Sequence, residues 1–160
     1  MDVKTVRVAM PADCNVIIGQ THFIKTVEDL YEAVATTVPQ AAFGLAFSEA
    51  SGPCLIRADG NDQALQEQAI ETARTLGAGH VFVLYLRNAY PINVLNRIKD
   101  CPEVCRVFCA TANPLEVIVA ETDQGRGVMG VIDGESPRGV EQAADREARR
   151  GFLRAIGYKR

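Results

Sequence analysis

The 160-residue chain has no tryptophan and only two histidines, His22 and His80. So few imidazoles argue against a dedicated zinc or iron centre. No apolar run reaches the 18 or more residues of a membrane span. The opening Met1-Asp-Val-Lys-Thr-Val-Arg-Val8 has no apolar core of the kind found in export signals. Positive charge is not in excess either: 17 Lys and Arg face 20 Asp and Glu, the net charge is −3 and the pI is about 5.4. That balance argues against bulk nucleic-acid binding. The five cysteines are odd in number and come without an export signal, so they read as cytosolic thiols rather than a disulfide framework. The expectation is a cytoplasmic protein with no nucleic-acid or membrane partner.

Nucleotide-binding signatures are also missing. There is no Gly-x-x-x-x-Gly-Lys-Ser/Thr loop. Gly125-Arg-Gly-Val-Met-Gly130 has the letter spacing of a dinucleotide fingerprint, but a strand-like segment follows it instead of a helix, so it fails that motif's context.

The length suits one domain, residues 1–160. A chain of this size buries enough surface to fold without metal or disulfide. Period-two alternation and short apolar runs predict strands over Val3–Val8, Asn15–Gly19, Phe43–Phe47, Leu55–Arg57, His80–Leu86, Val104–Ala110, Leu115–Glu121 and Val128–Ile132. Helices are predicted after Thr26, after an Asn61 cap, from Pro91 to Lys99 and from Val140 to Ile156. Gly77-Ala-Gly79 stops the second of them. The interleaving gives an α/β fold with a mixed sheet and helices packed on it.

Several groups carry chemistry. His80 sits where a glycine turn enters a buried strand; imidazole there can act as a base or carry a phosphoryl group, or can simply bond a backbone carbonyl in the core. His22 lies in a polar loop and reads as exposed. Glu121, Asp123, Arg126 and Asp133 gather around the connection Thr122–Gly127. Arg126 beside the N–H groups of Gly125 and Gly127 can hold a phosphate, and the acids can hold Mg²⁺ or a hydroxyl; the alternative is a plain hairpin with solvated charges. Asn93 and Asn96 open a helix just after the buried strand, where they can read a base or ribose, or only solvate the helix. Cys101, Cys105 and Cys109 match no common metal spacing, and Pro102 breaks any single helix through them; they read as small packed hydrophobes. The arginines of the last helix form either a solvated face with i,i+4 pairs or a subunit contact.

A set of stretches resembles one family. They are Asn15-Val-Ile-Ile-Gly-Gln20, Phe43-Gly-Leu-Ala-Phe-Ser-Glu-Ala50, Gly60-Asn-Asp62, Gly77-Ala-Gly-His-Val-Phe82, Asn88-Ala-Tyr-Pro-Ile-Asn-Val-Leu-Asn96, Val117-Ile-Val-Ala-Glu-Thr122, Gly125–Gly134 and Ile156-Gly-Tyr-Lys159. Together they look like the small prokaryotic family of adenosine-specific kinases, over almost the whole chain. The cysteine trio is a departure from it. The resemblance implies a three-layer α/β sandwich, a homo-oligomer (trimer or hexamer), a site for adenosine or AMP, and His80 as phosphoryl acceptor. On that reading the protein is a phosphotransferase with ATP as donor, accompanied by Mg²⁺. His80 and Asp133 would be catalytic, and Asn93, Asn96, Glu121, Gly125, Arg126 and Gly127 would bind nucleotide. Two rivals differ in class: a non-catalytic AMP-binding sensor, favoured by the missing phosphate loop, and a thiol or metal protein built on the cysteines.

Overall fold

Eight strands and four helices follow one another through the computed structural model, which describes all residues from Met1 to Arg160. In chain order they are β1 (Asp2–Val8), β2 (Asn15–Thr21), α1 (Thr26–Thr37), β3 (Ala42–Ser48), β4 (Ile56–Gly60), α2 (Gln63–Leu76), β5 (Val81–Arg87), α3 (Pro91–Lys99), β6 (Val104–Thr111), β7 (Leu115–Thr122), β8 (Gly125–Asp133) and α4 (Ala143–Ala155).

The strands form two sheets, β4-β3-β5-β2-β6 and β1-β7-β8. The large sheet is the middle layer of an α/β sandwich. Alternate residues of β5 serve its two faces, as the pleat requires. Phe82, Leu84 and Leu86 meet Val27, Leu30 and Val34 of α1 and Val94 and Ile98 of α3. Val81, Val83 and Tyr85 meet Leu65, Ala69, Ala73 and Leu76 of α2 and Val117 and Val119 of β7. Each fully buried side chain of this kind is worth about 1.5–3 kcal/mol. The unbroken apolar run from Val81 to Leu86 is thus a strand covered on both faces, as the sequence suggests.

Every strand pairing is antiparallel. The mixed sheet inferred from the element order is therefore replaced by two antiparallel sheets. The reason lies in strand order: α1, α2 and α3 each connect two strands of the same sense, but one antiparallel strand lies between them in the sheet (β5, β3 and β2 respectively), so no βαβ unit of neighbouring parallel strands forms.

Local details also move. Asp62, not Asn61, caps α2: its Oδ1 accepts from the Leu65 amide at 3.0 Å. Asn61 is occupied elsewhere, accepting from the Phe43 amide and donating to the Ala41 carbonyl, both at 2.8 Å, and so ties β4 to β3. Thr26 begins α1 without capping it; its hydroxyl donates to the Phe23 carbonyl at 2.6 Å. At Gly44, an added Cβ would lie 2.1 Å from the Gln66 backbone nitrogen, so α2 rests directly on the backbone of β3.

Candidate functional site

The C-terminal end of α2, the loop into β5, the turn after β3 and the β7-β8 hairpin surround an open cleft of about 740 Å³. Glu49 and Ala50 form one wall, Arg74, Gly77 and Gly79 another, and Thr122 and Gly125–Gly127 the third. Gly77 ends α2 in a left-handed conformation, φ 62°, with its N–H returned to the Ala73 carbonyl. Gly79 must stay small: a Cβ there would meet that of Ala50 at 2.8 Å. The glycines thus bring the Gly77–His80 loop against the Glu49–Ala50 turn.

His80 lies at this junction. It precedes the strand instead of opening it, and its backbone is left-handed, φ 59°. That conformation is uncommon for a residue with a Cβ and persists only when surroundings fix it. Here the His80 amide donates to the Ser48 carbonyl at 2.7 Å and its carbonyl accepts from the Thr21 amide at 2.9 Å. The imidazole stacks on Phe47, centroids 5.9 Å apart, and its side chain is one-third exposed. Nε2 is 3.4 Å from Oε1 of Glu49. Glu49 is itself held: its Oε1 accepts from the Ala50 amide at 3.0 Å, and Arg57 lies 3.5 Å from its Oε2. The Ala50 N–H, with His80 and Arg57 adding to it, keeps the Glu49 carboxyl below the usual glutamate range despite the cost of desolvation. The result is an ionised carboxylate beside one ring nitrogen of the imidazole.

Arg126 and Glu121 form the second charged pair. Arg126 Nε bonds Glu121, and Nη1 donates to the carbonyls of Thr75 and Leu76 at 3.1 and 3.5 Å. The guanidinium therefore closes the end of α2, where unpaired carbonyls and the helix dipole favour a cation. Lys4 reaches Glu121 from β1 at 2.6 Å, and Lys4 and then Arg126 hold that carboxyl below its ordinary range.

The cleft collects Gly125, Arg126 and Gly127, places Glu121 at its edge through Arg126, and has His80 at its rim through Glu49. It does not collect Asp133, Asn93 or Asn96. Asp133 stands at the far end of β8, roughly 27 Å along the strand from Gly125, where it accepts from Thr111 Oγ1 at 2.7 Å and Asn113 Nδ2 at 3.1 Å. Asn93 and Asn96 lie on α3, which packs on the other face of the large sheet. Asn93 Oδ1 there accepts from the Tyr90 amide at 2.9 Å, so it closes the first turn of its own helix.

The cysteines separate. Cys109 is buried on the α2 face and Cys101 on the α1/α3 face, while Cys105 is exposed. Burial pushes the Cys109 thiol up to about 11. No three His, Cys, Asp or Glu side chains come together as a metal site anywhere in the chain.

Glu49, Arg57 and Arg74 were not singled out by the sequence reading. Glu49 sits in Glu49-Ala-Ser-Gly-Pro53, which reads as a turn, and nothing in its local pattern announces a partner 31 residues later. The one available signal is that Ser48-Glu49-Ala50 falls within a stretch that carries the family resemblance.

Comparison with known proteins gives a consistent picture. The family described as adenosine specific kinase matches residues 6–159. Among solved structures, the PH1918 protein from Pyrococcus horikoshii OT3, determined by crystallography, superposes with a TM-score of 0.95 at 45% identity, over 99% of this chain and 98% of that one. No curated protein matches the chain.

Proposed function

Because the chain belongs to the adenosine-specific kinase family, we propose that it binds adenosine or AMP in the cleft between Glu49 and Arg126 and transfers a phosphoryl group by way of His80. The observation that carries this reading is the His80–Glu49 pair. A histidine is locked in an unfavourable backbone conformation at the rim of a cleft, with a carboxylate 3.4 Å from one ring nitrogen. Backbone outliers that surrounding contacts hold in place cluster at functional sites.

In the first half-reaction Nδ1 of His80 attacks the γ-phosphorus of ATP. The N–P bond forms as the bond to the β-bridging oxygen breaks, ADP leaves, and the Nε2 proton passes toward Glu49. In the second, the adenosine 5′-hydroxyl attacks phosphorus, the N–P bond breaks, Glu49 returns the proton to Nε2, and the hydroxyl proton leaves to solvent. Arg74 and the N–H groups around Gly125–Gly127 would meet phosphate charge at the cleft. Mg²⁺ fits as a companion of the triphosphate, whose charge it offsets. The chain's two cleft carboxylates, Glu49 and Glu121, are already matched to cations of their own.

The deciding experiment incubates the protein with γ-labelled ATP and Mg²⁺, with and without adenosine. Acid-labile label on the protein that vanishes in His80→Ala, or label in AMP, supports phosphotransfer. No label on either, with AMP still bound, replaces this reading with that of a nucleotide sensor.

A further inference from the structure

Nε of Arg57 is buried and has no hydrogen-bond partner. A buried donor left unpaired costs stability, so its presence needs a reason. The guanidinium makes one ion pair: Nη2 lies 3.5 Å from Oε2 of Glu49. Asp59, the next residue on the same face of β4, is occupied at its own strand end, where Oδ1 accepts from the Gly60 amide at 2.7 Å.

Strand register brings Arg57 to Glu49. Arg57 stands directly across from Phe47 in the antiparallel β3–β4 pair, so both side chains leave the same face of the sheet. Glu49, one step past the end of β3, keeps that register: its amide donates to the Leu55 carbonyl at 3.2 Å. Phe47 in turn stacks on the His80 imidazole. The contacts therefore run from Arg57 Nη2 to Glu49 Oε2, and from Glu49 Oε1 to His80 Nε2 at 3.4 Å. The Glu49 side chain is only 9% exposed, so solvent screens its charge little. Arg57 itself does not line the cleft.

An ionised carboxylate beside an imidazole favours the imidazolium, which has no lone pair with which to attack phosphorus. A cation on the far oxygen of the same carboxylate opposes that pull. We propose that Arg57 is the positioning residue of the His80–Glu49 pair: it holds Oε2 of Glu49 and balances its charge, so that the carboxylate orients the imidazole without keeping it protonated. The role in transfer rests on the phosphotransfer reading above. The charged and titratable groups facing the pair are few. Arg57 comes from β4, and the turn between β3 and β4 adds the exposed Cys54 at the cleft. From β2 the Thr21 amide reaches the His80 carbonyl at 2.9 Å and brings no charge.

The test follows protein labelling by γ-labelled ATP between about pH 5.5 and about pH 9 in the wild type, Arg57→Met and Arg57→Lys. Calorimetric titration with AMP, ¹⁵N NMR of the nucleotide-free imidazole and circular dichroism accompany it. In Arg57→Met the acid limb of labelling should move up by about one pH unit. Labelling near pH 6 then falls about tenfold and recovers by about pH 9, with AMP affinity kept within about twofold. Arg57→Lys should restore most of the loss near pH 6, and the imidazole titration should move with the labelling limb. Arg57→Gln, also uncharged, takes the place of Arg57→Met if that variant does not fold. A folded uncharged variant with an unmoved imidazole titration overturns the proposal. So does a loss of label that is equal at every pH, as a merely structural role would give. A wild type that takes no label removes the phosphotransfer reading instead, and the imidazole titration, read on the protein alone, still decides whether Arg57 balances Glu49.

Discussion

Nε2 of His80 lies 3.4 Å from Oε1 of Glu49, although 30 residues separate them in the chain. Glu49→Gln keeps the shape of the side chain and the bond from the Ala50 amide but removes the charge that favours imidazole N–H. Transfer of label from ATP should slow by about 10²-fold, within the range of acid–base contributions, while AMP affinity changes little. His80→Ala should abolish protein labelling altogether. Rapid-quench assays and calorimetric titration with AMP separate the two effects. Unchanged labelling in Glu49→Gln would remove Glu49 from the mechanism.

Arg126 joins β8 to the end of α2. Arg126→Ala leaves the Thr75 and Leu76 carbonyls without their donor and Glu121 without one of its two cations. The loss should be about 1–2 kcal/mol in urea unfolding, as for hydrogen bonds to a charged group. Arg126→Lys keeps the charge but not the planar fork, so it should recover part of that loss and no more.

Acid should weaken the Lys4–Glu121–Arg126 cluster. The Glu121 carboxyl is held below its ordinary 4.5 by Lys4 and Arg126. A lowered folded value means that the cluster's contribution is complete above about pH 4.5 and fades as pH falls through the lower value. The melting temperature of the wild type should exceed that of Glu121→Gln by a few degrees at most at pH 7, since the pair is exposed. The gap should narrow as pH falls below about 4.5.

Gly44 sets the distance between α2 and β3. In Gly44→Ala the new methyl group meets backbone of Leu65 and Gln66 at 2.1 Å, and backbone yields less readily than a side chain tip. Destabilisation of about 3 kcal/mol is expected, the upper end for overpacking, seen as a lower urea midpoint with an unchanged slope. Gly79→Ala meets only the Ala50 methyl at 2.8 Å, so it should cost less stability but shift the loop that carries His80.

Local pattern determined much of this protein. The apolar run Val81–Leu86 forms the doubly covered strand, Pro91–Lys99 forms its helix, and the α/β class follows from the alternation of elements. Those signals survive in sequence because strand and helix periods are properties of adjacent residues. The resemblance to the family likewise needs only letters in order, and it drew notice to His80, Arg126 and the glycines around it. Tertiary structure decided what those letters do. It set strand order, and with it two antiparallel sheets in place of a mixed one, because pairing between distant segments leaves no local trace. It placed Asp133 far along β8 and Asn93 and Asn96 behind the large sheet, and it put Glu49 beside His80. A carboxylate finds its partner through the path of the backbone between them, and that path is fixed only when both faces of the central sheet are packed.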